Sequence, residues 1–278
     1  MRVRIFLVLA LLAFMLAPVG AGSSPGRAQT TVTIAAAGDI ARSKPGTPQK
    51  QTAALITDVI HPSTVLMLGD SQYEHGAYNE YLKSYDPTWG AFKSITAPTL
   101  GNHEYETPHA AGYFQYFQTQ LAPYGPSASD PEAGYYSFNV GDWHVVALNS
   151  NCGKVNCPAQ ATWLKQDVAA DGHLCEVVIY HHPNERSFAN AANAAGVDLI
   201  LAGHKHTYER WNRLFGLNVR EFVVGTGGDS SGSPRSNADA GAKAYGVLRL
   251  DLSPTGYGWS FIDVAKHVRD SGSDSCHD

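Results

Sequence analysis

What this chain of 278 residues lacks already excludes several kinds of protein. Charged residues make up only 16% of it and hydrophobic residues 44%, the reverse of the balance that keeps a chain disordered. Its 20 lysines and arginines face 25 acids, for a net charge of −5, and nowhere form a basic block. No phosphate-neutralising face for nucleic acid is therefore expected. No internal repeat shows, and no linker divides the chain. The twelve apolar residues of Ile5–Leu16 fall short of the roughly 20 that a membrane-spanning helix needs. What the chain has in excess is histidine, twelve of them beside four cysteines and three methionines.

The apolar run at the amino terminus follows Arg2 and Arg4 and precedes small residues, with cleavage sites after Ala21 or Ala28. A buried helix is the plainer alternative, but the pattern is that of a secretory signal. Residues 1–28 are read as that signal and 29–278 as one catalytic domain, secreted or periplasmic. No cysteine near the cleavage region suggests a lipid anchor, so no membrane anchor is expected after cleavage. Losing three arginines and no acid takes the charge from −5 to −8. Export permits disulfides. Cys152 and Cys157 enclose a short loop, which leaves Cys175 to pair with Cys276. Four cysteines allow three connectivities, and the C-x4-C spacing could also be half a zinc site.

Apolar β-branched runs recur at Val32–Ala37, Val65–Leu68, Tyr135–Val140, Trp143–Leu148, Val177–Tyr180, Val197–Ala202, Glu221–Val224, Tyr245–Leu252 and Gly258–Val264. Helical stretches at Pro48–Ile60, Ala77–Phe92 and Pro158–Ala170 alternate with the earlier runs, which argues for an α/β domain. Gly141-Asp142 marks a hairpin. The glycine-joined strands at the end suggest a second, largely antiparallel sheet. Pro123–Pro131 and Asp229–Asp239 read as surface loops.

Five apolar segments end in a residue able to bind a metal: Asp39, Asp70, Asn102 with His103, His181 with His182, and His204 with His206. In open α/β sheets, ligands gather at the carboxyl ends of the strands. A glycine directly before Asp39, Asp70, Asn102 and His204 permits a sharp exit and close approach of backbone to ligand. One such aspartate is ordinarily a turn or a cap; five coincidences point to a site. Imidazole, carboxylate and amide donors without thiolate suit zinc, iron or manganese. The count exceeds one tetrahedral site and fits two ions sharing a bridging carboxylate, the arrangement of a dinuclear hydrolase.

The blocks GDIA (Gly38–Ala41), GDSQY (Gly69–Tyr73), GNHE (Gly101–Glu104), VIYH (Val178–His181) and GHKH (Gly203–His206) resemble the calcineurin-like metallophosphoesterase superfamily, and within it the purple acid phosphatases. Ala41 departs from that pattern, standing in the place of its last glycine. It also occupies the position where many members of the wider superfamily carry a histidine ligand. Tyr73, in isolation an ordinary core aromatic, sits where purple phosphatases supply a phenolate. The resemblance implies a four-layer α/β/β/α sandwich of two mixed sheets flanked by helices, with the site where both sheets meet. It implies one metal on Asp39, Asp70, Tyr73 and His206, with Fe(III) favoured by the tyrosinate. The second, Zn, Fe or Mn(II), would take Asp70, Asn102, His181 and His204. A metal-activated water would attack a phosphate monoester, and His103 would contact the phosphoryl group and protonate the leaving alkoxide.

His182 reads as a substrate contact or a mere loop histidine. Glu209 and Arg210 are expected to pair, and GTGG at Gly225–Gly228 to be a turn, lacking the lysine and spacing of a P-loop. Large plant-type members carry a β-sandwich domain ahead of the catalytic one, for which about ten residues after Ala21 leave no room. The expected substrate is a small phosphorylated molecule. A phosphodiesterase acting on cyclic nucleotides or phospholipid head groups is the competing reading, because the same ligand set serves it. A secreted binding protein with a vestigial site is the third.

Overall fold

A computed structural model describes residues 30–43 and 48–277; the expected signal segment lies outside them. The strands are β1 (Val32–Ala37), β2 (Thr64–Met67), β3 (Thr96–Pro98), β4 (Tyr136–Val140), β5 (Trp143–Ala147), β6 (Cys175–Ile179) and β7 (Leu199–Ala202). They continue with β8 (Tyr208–Trp211), β9 (Arg220–Val224), β10 (Ala240–Ala242), β11 (Gly246–Ser253), β12 (Gly256–Asp263) and β13 (Val268–Ser275). A six-stranded sheet runs β13-β12-β11-β1-β2-β3 and a seven-stranded one β10-β8-β9-β7-β6-β5-β4. Both are mixed. β1, β2 and β3 are mutually parallel, as are β5, β6, β7 and β9.

The layers follow from which residues are apolar. β6 is buried along its whole length, which a strand tolerates only with both faces covered. Its Val177 and Ile179 join Leu199, Leu201 and Phe222 in the core shared with Ile34, Leu66 and Leu248 of the other sheet. Val178, Ile200 and Ala202 point the opposite way, onto Leu164 and Val168 of helix Cys157–Ala170 and Phe188 and Ala192 of helix Arg186–Ala195. Helix Gln49–Leu55, with the wider turns that extend it to Ile60, contributes Leu55, Ile56 and Ile60 to the first core. The result is the expected four-layer sandwich.

Three expectations are corrected. The terminal meander does not form a separate sheet: β11 pairs antiparallel with β1 and so completes the first. The expected helix Ala77–Phe92 breaks into a helical stretch ending at Tyr85 and a tighter one at Trp89–Ile95, with Pro87 between them. Glu209 and Arg210 do not pair with each other. As neighbours on β8 they face opposite sides, so Glu209 binds Arg235 at 2.7 Å while Arg210 binds Asp270 at 2.8 Å.

Both disulfides have the expected pairing, Cys152–Cys157 and Cys175–Cys276, with Cα separations of 5.3 and 5.4 Å. The second closes a span of 101 residues, which restrains the unfolded chain by about 5 kcal/mol in loop-entropy terms. Among the described residues no helix is long and apolar enough to cross a membrane.

Two buried carboxyls set a pH dependence. Burial pushes Glu176 up to about 7, with Asp198 adding to it, and burial also pushes Glu221 up to about 7. The folded protein therefore holds protons that the unfolded chain releases above its ordinary carboxyl range. The stabilisation is complete at low pH and is lost as pH rises through about 7. Thermal melts should show Glu176→Gln matching the parent at pH 5 and exceeding it at pH 8. Equal differences at both pH values would contradict this account.

Candidate metal centre

The five blocks arrive together because five parallel strands end on one side of the molecule. Asp39 follows β1, Asp70 follows β2, Asn102 follows β3, His181 follows β6, and His204 and His206 follow β7. The chain leaves these strands sharply: Asp39, Asp70 and His204 themselves adopt φ of 59°, 47° and 66°. Such left-handed backbone in non-glycine residues clusters at functional sites. The preceding glycines serve close approach. A Cβ on Gly203 would sit 2.6 Å from the Leu68 carbonyl and 2.9 Å from Asp39 Oδ2.

The centre is crowded with acceptors. The Tyr73 hydroxyl lies 2.7 Å from Asp39 Oδ1, 3.0 Å from Asp70 Oδ2 and 3.1 Å from His206 Nε2. One phenolic hydrogen cannot serve all three. His181 Nδ1 lies 2.8 Å from the Leu68 carbonyl, which can only accept, so the hydrogen belongs to Nδ1 and Nε2 faces the centre. That Nε2 stands 3.1 Å from Asp70 Oδ2, yet off the line of a hydrogen bond, and is buried without a partner. Asn102 Oδ1 is likewise buried and unpartnered. Buried polar atoms without partners are costly, and both are of kinds that ligate metals.

Protonation tells the same story. Burial raises the Asp70 carboxyl, but His181 and the His103 N–H prevail and hold it well below the usual range. Burial, then Asp39 and Asp70, push the Tyr73 phenol far above its ordinary value. Burial opposes charge on His181, yet Asp70 and Asp39 win and push it up to about 9. Burial lowers His206, but Asp39 and Asp229 raise it overall. Across the site, burial and the His181 charge push His204 down to about 4 and His182 to about 3. One half of the site is ringed by anions, and the other is lined by imidazoles, of which His182 and His204 are held neutral.

Asp39, Asp70, Tyr73, His181, His204 and His206 meet here, and Asn102 lies between Gly101 and His103, which both touch Asp70. His103 packs on Tyr73 with ring centroids 4.3 Å apart, its Nδ1 2.6 Å from the Glu74 carbonyl. His182 sits beside His204 at 4.6 Å. The cluster also contains residues that the sequence left without a role. Glu104, completely buried, accepts from the backbone N–H of Asp70, Ser71 and Gly101 and from the hydroxyls of Ser71 and Tyr81. It ties the loop after β2 to the loop after β3. A charged residue closing the GNHE block was the signal for it. Asp229 and Ser230, expected in a surface loop, instead back His206 through its Nδ1, and Asp229 also pairs with Arg42. GTGG is the expected turn, but it packs beneath the site: a Cβ on Gly225 would lie 2.7 Å from Asp39 Oδ2.

In Glu104→Gln, an amide N–H₂ must face backbone N–H donors wherever it turns. Losing hydrogen bonds to a buried charge should cost about 3 kcal/mol in denaturant unfolding and reduce bound metal by elemental analysis. A variant as stable as the parent and fully loaded would show that Glu104 does not hold the two loops.

Comparison with known proteins agrees with this geometry. The calcineurin-like phosphoesterase family profile matches residues 32–208, which include every residue named as a metal-site candidate. The chain is 28% identical to purple acid phosphatase 15 of Arabidopsis thaliana, over 81% of this chain and 49% of that protein. It thus spans about half the length of that relative. Among solved structures it is similar to the purple acid phosphatase PPD1 from yellow lupin, Lupinus luteus. That likeness has a TM-score of 0.68 and 16% identity, covering 91% of this chain and 55% of the other. It also resembles GAP50, the anchor in the inner membrane complex of Plasmodium, with a TM-score of 0.65 and 15% identity over 89% and 90% of the two chains. At those identities the structures speak for the fold alone. With its fold, its five strand-end blocks and the profile match in agreement, the chain belongs to the calcineurin-like phosphoesterase family.

Proposed function

We propose that the protein is a secreted dinuclear-metal phosphatase that hydrolyses phosphate monoesters. The observation that carries this reading is the convergence of Asp39, Asp70, Tyr73 and His181 on one centre, with His181 Nε2 and the nearby Asn102 Oδ1 buried without a hydrogen-bond partner. Asp39, Asp70, Tyr73 and His206 would hold one ion. Asp70, Asn102, His181 and His204 would hold the second, with Asp70 shared. The anion-ringed half suits a hard trivalent ion, Fe(III), and the imidazole half a divalent one such as Zn, Fe or Mn(II). Bound there, the two ions would supply the positive charge for a phosphoryl dianion and an acidified water as nucleophile.

The chain's own residues do the rest. The Glu74 carbonyl holds His103 Nδ1–H and so fixes the ring against Tyr73. That leaves Nε2 as the nitrogen that exchanges a proton, and from it His103 protonates the departing alkoxide. His182 lies on the imidazole side and contacts the phosphoryl group. Its neighbour His204 is fixed through its backbone N–H, 2.7 Å from Asp39 Oδ2. Residues 1–28 would be the export signal and 29–278 a single catalytic domain, in keeping with two disulfides.

Elemental analysis should find two metals per chain, one of them iron. The purified protein should show a visible tyrosinate-to-iron band that disappears in Tyr73→Phe. Hydrolysis of nitrophenyl phosphate should outpace that of bis-nitrophenyl phosphate. A strong preference for the diester would replace this reading with a phosphodiesterase, and two bound metals with no hydrolysis of either would favour a binding protein.

A further inference from the structure

His181, His182 and His204 each bring a ring nitrogen within 4.8 Å of the other two, so by distance alone His182 is a third imidazole ligand. Hydrogen-bond counting decides otherwise. Ser150 leaves the end of β5 beside the end of β6, since Ala147 is in register with Ile179. Its hydroxyl oxygen accepts the backbone N–H of His181 at 3.2 Å and that of His182 at 2.9 Å. Both lone pairs are then engaged, and the hydroxyl has only its own hydrogen left to give. His182 Nδ1 lies 2.9 Å from that oxygen. Ser150 is only 5% exposed, so bulk water does not share the task. A hydrogen on Nδ1 would meet an oxygen with no lone pair to offer it; Nδ1 must therefore accept.

We infer that Ser150 locks His182 in the Nε2–H form, which makes His182 a neutral hydrogen-bond donor to a phosphoryl oxygen and removes it from the metal-ligand set. A nitrogen that carries a hydrogen has no lone pair for a cation. The imidazole half of the site then keeps His181 and His204 as ligands, while His182 points an N–H at whatever anion they attract. Ser150 is a positioning residue: it acts through the ring it orients. The inference rests on the phosphatase reading only for the identity of the bound anion; the tautomer stands apart from it.

Long-range 1H–15N NMR of the zinc-loaded, 15N-labelled protein reads the tautomer directly, with His182→Gln identifying the signals. The expected result is a protonated Nε2 and a bare, hydrogen-bonded Nδ1. By calorimetry on protein saturated with zinc, Ser150→Ala should bind inorganic phosphate about three- to tenfold more weakly, the effect of misplacing one hydrogen bond. Ser150→Thr, which keeps the hydroxyl, should restore it. A metal-shifted Nε2 or a protonated Nδ1 in the parent protein would overturn the inference, as would unchanged phosphate affinity in Ser150→Ala. The parent spectrum decides the tautomer even where a variant fails to fold, and it does so whether or not any ester is hydrolysed.

Discussion

Carboxylate and phenol oxygens are pressed together at the centre of this protein, and the surrounding structure is arranged to hold them there. The Tyr73 oxygen lies within hydrogen-bond distance of both Asp39 and Asp70. Left alone, such a group of acceptors would separate or take up water. Here it cannot separate, because each member is held from behind. The His204 N–H grips Asp39, the His103 N–H grips Asp70, and the Leu68 carbonyl aims His181. Backbone groups do most of this holding, so the geometry is set by the course of the chain and survives the electrostatic cost.

That cost is met by the rest of the domain. Residues behind the site are almost wholly buried, from Ala35–Ala37 on β1 to Leu199–Leu201 on β7. Each large apolar side chain removed from water contributes roughly 1.5–3 kcal/mol. Parallel strands suit the purpose, since they end side by side and point their exit loops the same way. The antiparallel strands β11, β12 and β13 extend the first sheet away from the site and widen the core beneath it. Division of labour is plain: the meander adds bulk, and the parallel strands carry the ligands.

Much of this was legible in the sequence because the relevant residues stand at the ends of unbroken apolar runs. The ligand candidates from Asp39 to His206 were visible as polar stops after runs such as TVTIAAAG and DLILAG. Cysteine spacing favoured one of three possible pairings, and the structure has that one. What stayed hidden is what depends on contacts distant in sequence. β8 and β13 were missed because YERW and VRDSGSDS are polar and alternate weakly; β8 lies between β9 and β10, and β13 pairs with β12. Ser150 gave no signal, since a serine after a strand is ordinary until its two N–H partners are known. Asp229 looked like loop composition, and its burial against Arg42 and His206 belongs to the fold alone.

The segment that backs His206 is fastened at two places. Asp229, Ser230 and Gly232 attach to the turn that carries the ligand, and Arg235 attaches to Glu209 on β8. Asp239, at the far end of the segment, is tied to β8 and the residue after it: its N–H donates to the Arg210 carbonyl and its carboxylate accepts from the Asn212 N–H. One segment thus fastens both the turn that follows β7 and the strand β8 that follows the turn. A change anywhere along it reaches His206 through two attachments, one at the ligand's own turn and one through the strand behind it.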